Sequence, residues 1–480
     1  MSSFPYKTDP YSHQRDALRF LAKRGKYAGL FMEQRTGKTK VILDEAAWRF
    51  LKGEIGALLI LAPSGVHTNW VRDEIPLHLS DEVERVVIEW DTGKSKTKWF
   101  REMFREAMAT KGKLVILSMN IEVLITDGGK KAIKTLMRYF PTMMVIDEST
   151  DIKTAGAKRT RSAKYLGKRA VFRRILSGFP DPEGPLDFYG QLSFLSPEII
   201  GSNVATFKER YGRFEQRYYH GKNAKPVQVL VGYKNLPELT KIVAQHCFRV
   251  RRDQVFDLPD KIYQKRYFDL SPEQNRMYAE LETDWLTNYI EDDAEVSAPL
   301  TIVRLLRLQQ IASGYVPTDS GEEPNRRIAG PNPRLKALTD AVSRVDGQII
   351  IWYRYRMDGD LLEETLGDDV VRWDGTTKKT REEGKVKFIQ GKARFFIGSP
   401  KAAGRGLTLK MAQASLYFSH YWSLEARVQS EDRAVGEKDW PPLYIDIMGK
   451  DTVDERIIDA LRAKDDLARL VLGDPARKWI

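Results

Sequence analysis

A single cysteine, Cys247, stands in the 480 residues, which excludes an internal disulfide framework and any multi-cysteine zinc site. It reads as a small core residue. The six histidines are scattered and offer no ligand cluster for a metal. No stretch approaches the roughly 20 apolar residues that a membrane-spanning helix needs, and the start, MSSFPYKTDP, lacks the apolar segment of a secretory signal. These absences predict a soluble, cytoplasmic protein with no membrane partner. No short-period repeat and no low-complexity tail is visible either.

What is present is length and apolar content. A chain of 480 residues with 42% hydrophobic side chains suits two or three domains, each with its own core. Lys and Arg outnumber Asp and Glu by 78 to 66, a net charge of +12. That excess fits a polyanionic partner, and it fits a plain solvated basic surface equally well.

Short apolar runs recur between residues 27 and 180: YAGLFM, ALLIL, KLVIL, TMMVI and FRRIL, separated by segments long enough for helices. A second series follows from about residue 345, with QIIIW, DVVRW, ARFFI, SLYF and LYIDI. This is the rhythm of two tandem α/β lobes with parallel sheets. The boundaries expected are a first lobe over 1–200, a helical insertion and linker over 201–258, and a second lobe over 259–480. The second lobe would hold a helical insertion at about 271–340 and a C-terminal helix. The acidic run EDDAE, 291–295, reads as a solvated stretch.

One chemical constellation stands out. YAGLFM runs into EQRTGKTKVILDEAAWRF, a strand, a tight loop and an amphipathic helix. That order puts Gly37, Lys38 and Thr39 at a helix amino terminus, where free N–H groups and the helix dipole favour phosphate. Lys38 could reach the β- and γ-phosphates of a nucleotide and Thr39 could ligate Mg²⁺, with Arg35 and Thr36 completing the loop. Gly-Lys-Ser/Thr arises by composition in roughly one chain in five of this length, and Met32 stands where the first glycine of such loops usually lies. Support comes from MMVIDES, a strand that delivers Asp147 and Glu148 at its carboxyl end, the edge at which parallel sheets bind ligands. Asp147 is suited to the Mg²⁺ shell and Glu148 to polarising an attacking water. Taken alone the acidic pair reads as a helix cap; joined to the glycine-lysine loop it reads as an NTPase.

The order of motifs from about residue 10 to residue 460 resembles the superfamily-two helicases, and within them the Swi/Snf-like DNA translocases in the compact form of bacteria and phages. PYSHQRDALRFL is similar to the Q-motif region, which implies that Gln14 reads the adenine edge. LLILAPSGVHTNW and LVILSMN resemble motifs Ia and Ib, DESTDIK the family's DEGHRIK, and LSGFP its LTGTP. The bridge VRRDQVFDLPDKIYQKRYFDLSPEQNRMYAEL is distinctive of this branch. Further on, WDGTTKKTREEGKVKFIQG, GSPKAAGRGLTL, YWSLEARVQSEDRA and GKDTVDERII keep the family's second-lobe spacing.

The resemblance implies two RecA-like lobes with ATP and Mg²⁺ between them. Lys38, Thr39, Asp147 and Glu148 would come from the first lobe, and Gln429, Arg433 and Gly406 from the second. An arginine acting on the transferring phosphoryl group is typically worth about 10³–10⁵ in rate. The family's motif VI has two arginines, whereas QSEDRAVGEKDW supplies only Arg433; Arg427, Lys438 and Arg405 are other cations that could serve. A phage-encoded chain would work in its host's cytoplasm.

For the nucleic-acid track, the resemblance points to Pro63, Ser64, Ser118, Arg354, and the run from Gly404 through Arg405 to Gly406. Trp422, upstream of motif VI, would couple the ATP and DNA sites. The residues themselves add the basic run KTAGAKRTRSAKYLGKRAVFRR, which includes Lys153 and no acid; it is either a solvated helix face or a phosphate contact. The aromatic residues around Trp352, Tyr353 and Trp373 read mainly as core. The leading expectation is an ATP-dependent translocase on double-stranded or branched DNA. A strand-separating DNA or RNA helicase is the second reading. A DNA-binding scaffold with a decayed ATPase is the third, motivated by Met32 and the shortened motif VI.

Overall fold

The computed structural model describes residues 4–217, 226–257, 259–290, 298–318, 325–377, 380–400, 407, 409–433 and 441–475. Six strands open the chain: β1 (Tyr27–Met32), β2 (Ala57–Ala62), β3 (Arg85–Glu89), β4 (Leu114–Asn120), β5 (Thr142–Asp147) and β6 (Phe172–Leu176). A hairpin of β7 (Gly212–Arg217) and β8 (Val227–Tyr233) follows, then β9 (Cys247–Val250). The remaining strands are β10 (Ile262–Phe268), the short pair β11 (Tyr315–Pro317) and β12 (Asn325–Arg327), then β13 (Ile349–Trp352), β14 (Val370–Trp373), β15 (Phe395–Gly398), β16 (Ala414–Tyr417) and β17 (Leu443–Gly449).

Two sheets organise these strands. The first has seven strands in the order β3-β4-β2-β5-β6-β1-β9, and every neighbouring pair in it is parallel. The second has six in the order β10-β17-β16-β13-β15-β14, again parallel throughout. The chain divides into two compact units that follow the sheets. One comprises the described residues within Met1–Arg213, Gly232–Asp257 and Leu467–Ala476; the other those within Phe214–Val231 and Leu258–Asp466.

A parallel sheet with helices on both faces buries both sides of each strand, which is why its strands are continuous apolar runs. In β2, Leu59 and Leu61 point into one core while Leu58 and Ile60 point into the other. Ile350 and Trp352 oppose Ile349 and Ile351 in β13 in the same manner. Trp352, Tyr353 and Trp373 are core residues. Cys247 is fully enclosed in β9, and a Cβ placed on Gly29 of β1 would fall 2.7 Å from its Sγ. The cysteine therefore fills the space the glycine leaves, and burial pushes its thiol well above the usual range.

Between the sheets the chain is of mixed structure. The helix Leu236–His246 leads into β9, which pairs with β1 in the first sheet. The helices Pro272–Ile290, Ala298–Ala312 and Pro333–Val342, with the β11–β12 hairpin, precede β13. The acidic run 291–295 lies outside the described residues. A final helix, Val453–Leu472, starts in the second unit and ends in the first.

Candidate nucleotide site and basic surface

The helix Lys38–Leu51 starts directly after β1 through a loop that only certain residues can close. Gly37 caps the helix at φ +86°, and Arg35 takes φ +67°, a region costly for a side-chain-bearing residue. The first helical bond runs from Val41 N to Gly37 O at 3.1 Å, so the N–H groups of Lys38, Thr39 and Lys40 start the helix without partners within it. Thr36 is fully buried, with its hydroxyl on Glu33 O at 2.7 Å. Lys38 Nζ donates to Met32 O at 2.7 Å and Glu33 O at 3.3 Å, so Met32 serves the loop through its carbonyl. Thr39 is half-buried.

Gln14 closes this loop from behind. Its amide nitrogen donates to Thr36 O at 3.2 Å and its oxygen accepts from Tyr11 N at 2.9 Å. A Cβ on Gly37 would come within 2.1 Å of that nitrogen, so residue 37 has to be glycine on two counts. His13 reaches the same Thr36 carbonyl at 2.9 Å.

Asp147 ends β5, and in the sheet order only β6 separates β5 from β1. Strands lie about 4.8 Å apart, so the acid and the glycine-lysine loop end up roughly 10 Å apart along the same carboxyl edge. Asp147 is 7% exposed and takes a hydrogen bond from Trp70 Nε1 at 2.9 Å. The next residue, Glu148, adopts φ +50°, with its N–H on Asp147 Oδ1 at 3.0 Å. Burial and the charge of Asp147 raise the carboxyl of Glu74 above its ordinary value, so negative charge is concentrated here. Backbone donors for phosphate, a lysine on the loop and a carboxylate held by Trp70 form a donor set that suits a nucleotide with Mg²⁺.

Behind this edge, Ser149 Oγ donates to Gln191 Oε1 at 2.6 Å, and Gln191 Nε2 donates to Pro180 O at 2.6 Å. The segment after β5 is thereby tied to the turn after β6. Pro63 is buried and Ser64 exposed in the turn after β2. Ser118 is fully buried, its hydroxyl on His67 O at 2.8 Å, so it braces that turn from β4.

The basic run after β5 has several fates. Arg174 is completely buried against Glu45 at 2.6 Å, Arg173 donates to Phe194 O at 2.9 Å, Arg159 pairs with Glu122 and Asp151, and Lys153 lies 3.6 Å from Asp187. Lys158, Arg161, Lys168 and Arg169 are exposed. Beside their helix, Lys158–Gly167, lies the helix Asp127–Tyr139, which exposes Lys131, Lys134 and Arg138. Asp127 is the only acid on either helix. Exposed Tyr165 joins the two, with Lys134 Nζ 5.3 Å and Arg169 Cζ 4.8 Å from its ring centre.

In the second unit, Gln429 and Arg433 lie on and just after the helix Leu424–Glu431. Gln429 Nε2 donates to Glu425 Oε1 at 3.2 Å, and Arg433 Nη1 to Leu407 O at 2.8 Å. Arg427 is committed elsewhere: it is buried, bound to Asp446 and Glu431, and its guanidinium carbon lies 3.6 Å from the Tyr417 ring centre. Arg354 donates to Gln309 Oε1 at 2.7 Å and lies over Tyr355 and Tyr421. Trp422 is half-buried, and its carbonyl takes Lys464 Nζ at 3.1 Å. Gly404, Arg405, Gly406 and Lys438 lie outside the described residues.

The family model described as the SNF2-related domain matches residues 13–313. This chain belongs to that family. A second model, the helicase conserved C-terminal domain, matches 333–435 of this SNF2-related protein, and the two sheets are its RecA-like lobes. Among curated relatives, the Bacillus subtilis protein named as an ATP-dependent helicase/translocase is 24% identical over 437 residues, 88% of this chain and 44% of that one. An uncharacterised ATP-dependent helicase of Mycoplasma genitalium is 26% identical over 78% of this chain and 34% of its own length. A RAD54-like DNA repair and recombination protein of Drosophila pseudoobscura is 24% identical over 96% of this chain and 63% of its own. The SNF2-related chain thus spans between about a third and two-thirds of these relatives. The solved Sulfolobus solfataricus SWI2/SNF2 ATPase core in complex with dsDNA is similar at 21% identity, over 99% of this chain and 95% of that one, with a TM-score of 0.42.

Two residues of this SNF2-related site, Glu74 and Gln191, escape the motifs; Trp70 closes the run LLILAPSGVHTNW, where nothing shows its contact with Asp147. Gln191 leaves one trace, as a polar residue in a helix, Phe188–Leu195, buried at every position. Trp70 and Glu74 lie far from Asp147 in sequence and meet it through the sheet order alone.

Proposed function

We propose that the protein is an ATP-dependent DNA translocase, a Mg²⁺-dependent ATPase that moves along duplex DNA and remodels protein–DNA complexes or branched DNA. The observation that carries this reading is the glycine-lysine loop at the helix start after β1, facing Asp147 and Glu148 across a single strand on one sheet edge. Lys38 and the N–H groups of the helix start hold phosphate oxygens, with Arg35, Thr36 and Gly37 shaping the loop. Thr39 and Asp147 hold Mg²⁺, which neutralises charge on the phosphates when bound. Glu148 orients the attacking water and takes its proton. Gln14 sets the loop through Thr36 and, by the family resemblance, reads the adenine. Gln429, Arg433 and Gly406 are assigned to the nucleotide on the same resemblance.

Pro63, Ser64, Lys153, Arg354, Gly404, Arg405 and Trp422 are proposed for the DNA track, with Ser118 acting through the turn it braces. The exposed cations on the helices Asp127–Tyr139 and Lys158–Gly167 suit phosphate contacts that ignore sequence. ATP turnover measured without nucleic acid and with single-stranded, duplex and four-way-junction DNA and with RNA tests the reading. Stimulation by duplex or junction DNA, with triplex displacement and no strand separation, is expected. Strand separation would establish a helicase instead, and turnover indifferent to every nucleic acid would refute the motor.

A further inference from the structure

β9 is the edge strand beside β1, and its registered partner pairs Arg249 with Phe31. The Arg249 side chain, 17% exposed, spreads its donors over four residues on three separate pieces of the first unit. Nη1 donates to Phe31 O at 3.1 Å and to Gly178 O, in the turn after β6, at 3.2 Å. Nη2 donates to Glu33 Oε1 at 3.0 Å and to Asp474 Oδ2 at 2.7 Å, and Nε to Asp474 Oδ2 at 3.2 Å.

Each end of this bridge leads somewhere. Glu33 opens the phosphate loop: its other carboxylate oxygen takes Arg252 N at 3.0 Å, and its carbonyl takes Thr36 Oγ1 and Lys38 Nζ. Asp474 follows the C-terminal helix, whose Val471 is fully buried in the first unit's core with Leu472 packed against it. Asp474 is therefore two side chains away from the loop lysine. We infer that Arg249 is a positioning residue for the phosphate loop and that it makes the loop's geometry depend on the docking of the C-terminal segment.

A guanidinium is needed for this. Its five donors lie in a rigid fork that reaches two carboxylates and two carbonyls at once, whereas an ammonium offers three donors from one point. Without the fork, Glu33 and Asp474 face each other as like charges, with Asp181 close by, and the loop strand loses its grip on the turn after β6. The bonds fall on the end of β1 that leads into the loop, on the turn after β6 and on the Glu33 carboxylate rather than on apolar side chains, so the effect belongs to nucleotide binding. The inference rests on the reading that this loop binds ATP.

The test uses the full chain and its Arg249→Lys, Asp474→Asn and Arg249→Lys/Asp474→Asn variants, with melting curves, mant-ADP binding and ATP turnover. Arg249→Lys should raise the KM for ATP about tenfold with kcat changed less than about threefold, the pattern of lost uniform binding. Asp474→Asn should raise it about threefold and add little on top of Arg249→Lys, because both act through one bridge. Unchanged KM in both folded single variants, or fully additive effects, overturns the inference. Should Arg249→Lys fail to fold, Asp474→Asn, which retains an acceptor oxygen, decides by itself. A parent chain that binds no nucleotide overturns the ATPase reading and this one together; normal parent binding with unmoved variants overturns this one alone.

Discussion

The two units handle charge differently at the places where the motifs fall. In the first, the buried ion cluster sits away from the candidate site: Arg174 and Arg49 close on Glu45, inside the helix that the phosphate loop begins. Lys38, Thr39 and Glu148 stay clear of it at the carboxyl edge. In the second unit, candidate and structural residues share one short helix. Arg427 binds Asp446 and Glu431, and Glu431 in turn takes Lys261 Nζ and Tyr263 Oη at 2.9 Å each, while Gln429 and Arg433 lie within two residues of Glu431. Apart from the Arg249 bridge and the Lys40–Asp44 pair beside the loop, the first unit separates what holds the fold from what would do chemistry; the second interleaves them.

The sharpest way to break that contrast is a pair of substitutions expected to act on turnover. Glu148→Gln in the first unit and Arg433→Ala in the second should each lower DNA-stimulated ATP turnover by about 10³ or more. Glu148→Gln should leave the melting temperature within a degree or two of the parent, since its carboxylate takes no part in the buried cluster. Near-normal turnover in Arg433→Ala would remove Arg433 from the reaction and leave Lys438 and Arg405 as the cations to test.

Next in size is Arg427→Ala, two residues from Gln429 on the same helix. Removing one partner of a buried charge network strands the others, at a cost of about 3–5 kcal/mol. Urea unfolding should show that loss. A folded variant of parental stability with abolished turnover would instead place Arg427 in the reaction and erase the distinction from Arg433.

The same contrast between edge and interior accounts for what the sequence reveals. The runs YAGLFM, ALLIL, TMMVI, QIIIW and LYIDI are all strands, because each is buried on both faces and must be largely apolar; the buried acid in LYIDI, Asp446, is paired with Arg427. β3, β9 and β10 are less visible, and all three are sheet edges. RVVIE, CFRV and IYQKRYF carry charges because a strand flanked on one side only has less to bury. Lys38, Thr39, Asp147 and Glu148 were legible as candidates because the chemistry proposed for them needs fixed residue types at fixed places on βα units. The contacts of Trp70, Gln191 and Arg249 were not, although Trp70 ends the motif Ia run, since each contact is made by strand order. Arg249 falls in the stretch expected to be insertion and linker, and its contacts emerge only once β9 is seen beside β1.

Trp70 tests how far that hidden support matters, with a smaller expected effect. Its indole N–H is the contact that fixes one Asp147 oxygen. Trp70→Phe keeps most of the buried ring and removes the donor. A hydrogen bond to a charged group is worth about 1.5–3 kcal/mol, so the Mg²⁺ concentration for half-maximal turnover should rise about tenfold. Stability should fall only modestly. A stability loss with unchanged Mg²⁺ dependence would make Trp70 a core residue and nothing more.

The smallest effect expected is on stability alone, and it lies where the first unit departs from its own rule. Asp181 is fully buried in the turn after β6, and neither carboxylate oxygen has a hydrogen-bond partner among the described residues. Burial, and then the charge of Asp187, hold its carboxyl well above the usual range, against the pull of Arg249. An acid whose pKa is raised by folding contributes its stability in full below the unfolded value, about 3.9. That contribution is lost as pH rises through the folded value. Asp181→Asn cannot ionise, so it should be more stable than the parent near pH 8, by about 1 kcal/mol, with the advantage shrinking towards zero near pH 4. Melting curves of both proteins across that interval decide it. An advantage that does not change with pH, or a variant weaker than the parent at pH 8, would mean that Asp181 is held as a carboxylate. It would then join Glu33 and Asp474 around Arg249 as a third anion that the single guanidinium has to balance.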